Sequence, residues 1–243
     1  MTKMPTRKKF SPTAFLGALR RDCSGVAMVE FAVSLPFFVG LTVMGIESAN
    51  YASVTMQLNQ LTLHTADGAA RMGEGSQLAA RQIKEIHIND VFSGTAREGE
   101  NLLLDGKHAY TDPNDGTVSL RGNAKIIISS VEPVASFDSD DPKYRIRWQR
   151  CMGQSDFYSS SYGDPQNTTS VDAVGPAGRQ VTAPENGAVM FVETQYYFKP
   201  IIFDGISLLT ERTIKQTAAM VVRDQRNYTQ IFNPENVTPS TCT

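Results

Sequence analysis

The sequence predicts an α+β protein: a long N-terminal transmembrane helix that continues outside the membrane, a second helix, then an antiparallel sheet of about five strands. Three observations predict it. Residues 26–46 are an apolar run with a single charge. Residues 47–72 keep apolar and small side chains at three- and four-residue intervals. Beyond residue 100 the pattern turns to two-residue alternation broken by turn residues.

The apolar run reads VAMVEFAVSLPFFVGLTVMGI. At the helical rise per residue it reaches about 30 Å, the thickness of a bilayer's hydrocarbon layer. Its flanks differ in charge. Lys3, Arg7, Lys8, Lys9, Arg20 and Arg21 precede it against Asp22 alone, so residues 1–25 carry +5 while the whole chain carries −2. Basic residues stay on the cytoplasmic side, which places the N-terminus in the cytoplasm and residues 47–243 across the membrane. The basic tail reads as this topology signal and not as a nucleic-acid surface, since only Phe10 and Phe15 interleave with the bases. A cleaved secretory signal fits less well: its apolar region spans roughly 7–15 residues and ends at a small-x-small site. Here the run is longer, and the one poor site ends at Ala52.

Glu30 is the exception within the run. A carboxylate inside a span costs roughly 2.5–3.5 kcal/mol at the bilayer centre unless it is paired. Either it snorkels to the interface, or it meets a cation. A free N-terminal amine on a neighbouring chain is such a cation, and it requires a cut just upstream. Pro36, six residues on, removes one helical hydrogen bond and predicts a kink, which membrane helices tolerate.

The stretch from Cys23 to Ala32, CSGVAMVEFA, sets a glycine, four apolar residues and an acid behind a basic leader. It resembles the class III signal of type IV prepilins and pseudopilins. With Phe31, Leu35 and Pro36, and with Gln57, Leu58, Asn59 and the TADGAAR of residues 65–71, the chain is similar over residues 20–72 to the TadE-like family of tight-adherence (Flp-type) pilus assembly proteins, the TadG-like proteins being close relatives. The resemblance implies a bacterial inner-membrane protein with an extracytoplasmic C-terminal domain. It implies that a prepilin peptidase cuts between Gly25 and Val26 and that Glu30 is the assembly acid; the Pro36 kink either serves packing in a pilus-like assembly or is neutral. Implied partners are the membrane, the peptidase and other pseudopilins, pilin or Tad secretion-machine subunits. The alternative is an uncleaved signal-anchored envelope protein with a binding or adhesion domain.

Tyr51, Val54, Leu58, Leu61, Thr65, Gly68 and Met72 form a heptad-like stripe that thins into Ala and Gly. It packs either on the chain's own outer domain or on a partner subunit. The Gly73, Glu74, Gly75 triplet ends this helix. Ser76 then predicts an N-cap and a second helix to about Phe92, with Leu78, Ala79, Ile83 and Ile86 on one face. The predicted organisation is therefore a leader (1–25), a span (26–46), an extracytoplasmic helical region (47–92) and a β-rich domain (93–243). Strands are expected at 102–104, 117–121, 125–134, around Tyr144, Ile146 and Trp148, at 188–198 and at 212–223. Residues 200–210 read as loop or short helix, and 152–187 as a long polar loop, either mobile or a partner contact.

Cys23 falls in the leader, which leaves Cys151 and Cys242 on the oxidising side and implies a disulfide between them. His64, His87 and His108 lack metal-ligand spacing. Asp138, Asp140 and Asp141 lack the order of a calcium loop and read as a solvated turn. No nucleophile, phosphate-loop, dinucleotide or zinc-protease motif occurs, so neither a catalytic residue, a cofactor nor a nucleic-acid partner is expected, and the chain reads as structural, not as an enzyme.

Overall fold

The computed structural model describes residues 25–75, 80–112, 114–153, 159–201 and 212–242. The chain divides into two compact units, Met1–Ala49 and Asn50–Thr243. The first helix, α1 (Val26–Arg71), starts in the first unit and ends in the second.

In the first unit α1 exposes almost every side chain. Met28 is 75% exposed, Phe37 71% and Leu41 68%. Its hydroxyls turn back onto the helix: Ser34 Oγ donates to the Phe31 carbonyl at 3.1 Å and Thr42 Oγ1 to that of Phe38 at 2.8 Å. The helix is long and apolar enough to cross a membrane, and the hydroxyls of Ser34 and Thr42 are satisfied within it, as suits a lipid-facing helix.

In the second unit the stripe of α1 turns inward. Leu58, Leu61, Ala66, Ala69 and Ala70 are buried in one cluster with Ile88 and Phe92 and with the sheet residues Ile126, Ile128, Met190 and Val192. The stripe therefore packs on the chain's own domain. Buried hydroxyls within it are satisfied: Thr62 bonds to Thr194 at 2.8 Å and Thr65 to Thr95 at 2.9 Å. α2 lies close to α1 here: a Cβ at Gly68 would stand in ordinary van der Waals contact with Val91, at 3.6 Å. Gly73, at φ +121, takes the left-handed conformation that ends the helix.

The second helix, α2 (Glu85–Glu98), lies later than its sequence signals suggest. Ser76, Leu78 and Ala79 lie outside the described residues. Residues 80–84 are extended, because their backbone pairs elsewhere: Glu74 bridges Gln82, Arg81 bridges Arg226, and Lys84 bridges Phe232. The helix begins after Lys84, whose N–H donates to His87 Nδ1 at 3.3 Å. It runs on past Phe92 to Glu98, and Ser93 and Thr95 within it return their hydroxyls to the carbonyls of Asn89 and Val91.

Residues 102–104 are not a strand. A 3-10 turn, Glu100–Leu102, is followed by Leu103 at φ 49, which buries Leu102 and Leu104 while exposing Leu103. The strands are β1 (Lys107–Thr111), β2 (Val118–Gly122), β3 (Ala124–Pro133), β4 (Tyr144–Met152), β5 (Val189–Phe198) and β6 (Arg212–Val221). Instead of one sheet of about five strands there are two. β1 and β2 make a separate antiparallel ribbon, and β4-β3-β5-β6 make a four-stranded antiparallel sheet. Most of residues 200–210, read from sequence as loop or short helix, lie outside the described residues.

Side chains alternate across this sheet. One face receives α1 and α2. The other is covered by the long polar loop, which packs in its described part (159–187). Val174 and Ala183 join Val131, Tyr144, Ile146, Val189 and Phe191 in a second core. Polar side chains of the sheet fasten the loop backbone: Gln149 Nε2 donates to the Gly163 carbonyl at 2.8 Å, Gln195 Nε2 to the Ser159 carbonyl at 2.9 Å, and Glu193 accepts from the Ser161 N–H at 2.9 Å and from the Ser160 hydroxyl.

Candidate functional site

The residues marked by sequence converge on the start of α1. Gly25 lies in a turn, Val26 opens the helix, and the Val29 N–H donates to the Gly25 carbonyl at 3.2 Å. Both residues of the Gly25–Val26 junction are exposed. Glu30 follows Val26 by four residues, so the two share a helix face one turn apart. Its carboxylate is exposed and is the one charge in residues 26–46. Among the described residues no cation lies within ion-pair distance of it. Pro36 lies inside α1, which continues unbroken through it, and its ring nitrogen has no hydrogen to give the Ala32 carbonyl.

Cys151 and Cys242, the pair expected from sequence, meet. Cys151 and Cys242 have their sulfurs at 2.09 Å, across 91 residues of sequence. The bond is one fastening among several made by the C-terminal segment. The Cys151 N–H donates to the Ser240 carbonyl at 2.8 Å, Asn89 Nδ2 to the Thr238 carbonyl at 3.1 Å, and Arg147 to the Thr229 carbonyl at 2.8 Å. Lys84 binds Glu235 at 3.0 Å and Glu74 at 2.7 Å, which lowers both carboxyls and raises the ammonium. Arg226, buried, donates to the Ala69 and Ala70 carbonyls at the end of α1. The same segment thus caps α1, holds the 80–84 connector and ties α2 to β4.

Sequence reasoning missed Arg226, and with it the pair of Glu85 and Arg150, whose guanidinium Nε donates to Glu85 Oε2 at 3.0 Å. No local pattern marks them, since their partners are 65 and more residues away.

The remaining candidates have local partners. His64 pairs with Glu98 at 2.6 Å, and the His108 ring stacks on Tyr197 at 3.5 Å. Asp138 accepts the Asp140 N–H at 2.9 Å, closing a turn, and Asp141 pairs with Lys143 at 2.8 Å. Lys143, held also by Asp172, is pushed well above the usual lysine range. Among the described residues no group of three or more His, Cys, Asp or Glu is placed to hold a metal ion. Two carboxyls, Glu132 and Glu193, are raised by burial. Glu132 accepts a hydrogen bond from the Ser130 hydroxyl, and Glu193 accepts from the Ser160 hydroxyl and the Ser161 N–H.

Fold and site together define a class: an α+β domain carried on one exposed apolar helix, with a lone acid near that helix's start. No known family, curated protein or solved structure matches the chain.

Proposed function

We propose that the chain is a TadE-like pseudopilin or minor pilin, a structural component in the assembly of Flp-type pili. Residues 26–46 span the bacterial inner membrane, with residues 1–25 in the cytoplasm and the second unit periplasmic. The prepilin peptidase cuts between Gly25 and Val26. The new Val26 amine of one subunit then pairs with Glu30 of a neighbour, offsetting the cost of a carboxylate in lipid. The exposed apolar helix supplies the lateral contacts with other pseudopilins, pilin or secretion-machine subunits. One observation supports this reading: among the described residues a single acid, with no cation in ion-pair distance, stands one turn from an exposed glycine junction, and the other outward groups of residues 26–46 are apolar or bond back onto the helix.

Two variants test it. With the peptidase present, the wild-type chain is expected to lose residues 1–25, while Gly25→Leu keeps them. Equal mass in both, with and without peptidase, removes the cleavage step and favours an uncleaved anchored binding protein. Glu30→Gln is expected to stop fibre production without reducing the amount of protein in the membrane, and normal fibres from this variant refute the pairing.

A further inference from the structure

The C-terminal segment has two parts that are held differently. As far as Phe232 it is anchored. Arg226 is buried, and Tyr228 and Ile231 pack against the main core. The Phe232 N–H donates to the Ile83 carbonyl at 2.9 Å, and its carbonyl accepts the Glu85 N–H at 2.9 Å.

From Asn233 the chain reads NPENVTPSTC. Its two prolines have no N–H to give a strand or helix, and Val237 is its one large apolar side chain. Residues 233–237 close on themselves: Asn233 Oδ1 accepts the Val237 N–H at 3.0 Å, Asn233 Nδ2 donates to the Val237 carbonyl at 2.8 Å, and Asn236 stands at φ 52. Beyond that loop the segment is held from outside by polar contacts. Asn89 of α2 donates to the Thr238 carbonyl at 3.1 Å and accepts the Ser240 hydroxyl at 2.7 Å, and the Cys151 N–H donates to the Ser240 carbonyl at 2.8 Å.

No residue from 227 to 242 is fully buried. A hydrogen bond that water can replace adds little net stability, and the entropy of ordering backbone opposes it. Segments with few buried apolar contacts open locally before the rest of a domain. The bond from Cys242 to Cys151 is therefore the contact that keeps residues 233–242 on α2 and β4. The two cysteines differ in access: Cys151 is 8% exposed, whereas Cys242 is half-buried.

We propose that this bond is a reducible latch: a protein dithiol opens it by attack on Cys242, and residues 233–242 then leave α2 and β4 while the rest of the second unit stays folded. The attacking thiolate forms a new sulfur–sulfur bond to Cys242 Sγ. The old bond breaks, and its electron pair leaves on Cys151 Sγ, which takes up a proton. The second thiol of the reductant then displaces Cys242, so the dithiol is oxidised to a disulfide and both cysteines become thiols, a two-electron exchange. Opening frees the Cys151 N–H at the outer edge of β4 and the Asn89 amide on α2. The surface that the second unit offers to other proteins thus follows the redox state around it. The inference does not rest on the pilus reading or on a membrane span.

The test compares the oxidised full chain, the same chain in dithiothreitol and Cys242→Ser, all in detergent micelles without denaturant, by amide hydrogen exchange and mass spectrometry. Reduction is expected to speed exchange at residues 233–242 and at the Cys151 amide by about tenfold or more, the mark of local opening, with β3 and β5 unchanged. Cys242→Ser is expected to show the same pattern without reductant. Brief exposure to glutathione, quenched in acid, is expected to trap the mixed disulfide on Cys242. A bond that dithiothreitol leaves intact overturns the proposal, as does a reduced chain whose residues 233–242 stay protected. Loss of protection throughout β3 and β5 overturns it in favour of a bond that holds the whole unit together, and glutathione trapped on Cys151 overturns the route of attack.

Discussion

Replacing Arg226 by methionine should weaken the second unit by about 2 kcal/mol, an estimate built from two opposed contributions. Arg226 is 5% exposed, and its guanidinium donates to the Ala70 carbonyl at 2.5 Å and, through both terminal nitrogens, to the Ala69 carbonyl at 3.3 Å. Those carbonyls belong to the last turn of α1 and have no partner within the helix. A hydrogen bond from a charged donor contributes about 1.5–3 kcal/mol, and a cation at a helix C-terminus adds roughly 0.3–1 kcal/mol. Against this stands the cost of keeping a guanidinium out of water, several kcal/mol. Burial also pulls the Arg226 pKa below its usual value. Methionine keeps the aliphatic packing and removes both contributions. It leaves the two carbonyls without donors, which sets the sign.

Trp148, the one tryptophan, packs against the main core, so its fluorescence reports urea unfolding of the full chain in detergent micelles. A loss of this size lowers Tm by about 4–8 °C in a domain of 150–250 residues. Arg226→Lys should recover about half, because an ammonium cannot reach both carbonyls in the fork geometry of Arg. If Arg226→Met unfolds within about 0.5 kcal/mol of wild type, the scatter of ordinary surface substitutions, the proposed cap has no energetic role.

Removing the link between Cys151 and Cys242 by Cys242→Ser should cost up to about 4.6 kcal/mol, the chain-entropy value for a loop closed across 91 residues. Urea midpoints of the variant and of the reduced wild type should coincide, and a variant as stable as the oxidised chain contradicts the estimate. Stability should also fall as pH rises above the usual glutamate value of 4.5. Burial raises the Glu193 carboxyl, outweighing the bonds from Ser160 and Ser161 and the nearby Lys215 charge. A raised folded value means the folded chain holds this proton longer than the unfolded one. Its contribution is full below pH 4.5 and is lost as pH climbs through the folded value. Glu193→Gln should flatten that part of the pH–stability curve, and an unchanged slope would show that another group sets it.

The apolar stretch, the α1 stripe and five of the six strands were legible because each follows its own period over many residues. In β3, Ile126 and Ile128 face one layer while Ile127 faces the other, and β5 repeats this with Met190 and Phe191. The failures have a common cause. β1 reads KHAYT, with neither a β-branched run nor an apolar alternation, and it becomes a strand because it pairs with β2. Residues 80–84 could have joined a helix, but the C-terminal segment offers their backbone bridges at Arg226 and Phe232. The long loop is polar in composition, yet its few apolar residues, among them Val174 and Ala183, are the ones that reach the sheet. In each case a partner far away in sequence overrides a weak local signal. At the candidate site the spacing of Gly25, Val26 and Glu30 was readable because it is local. Arg226, whose partners at the end of α1 lie 156 and 157 residues away, was not.

The C-terminal strap also imposes an order of events on a chain made from its N-terminal end. Cys151 and its strand emerge early, but the Ser240 carbonyl that receives the Cys151 N–H, and the sulfur of Cys242, arrive some ninety residues later. Until then α1 lacks its Arg226 cap, the 80–84 connector lacks its bridges, and an oxidant meets a lone thiol on β4. Maturation of the second unit is thereby timed to the arrival of residues 226–242, and synthesis stalled before that point would leave a half-fastened intermediate open to proteases.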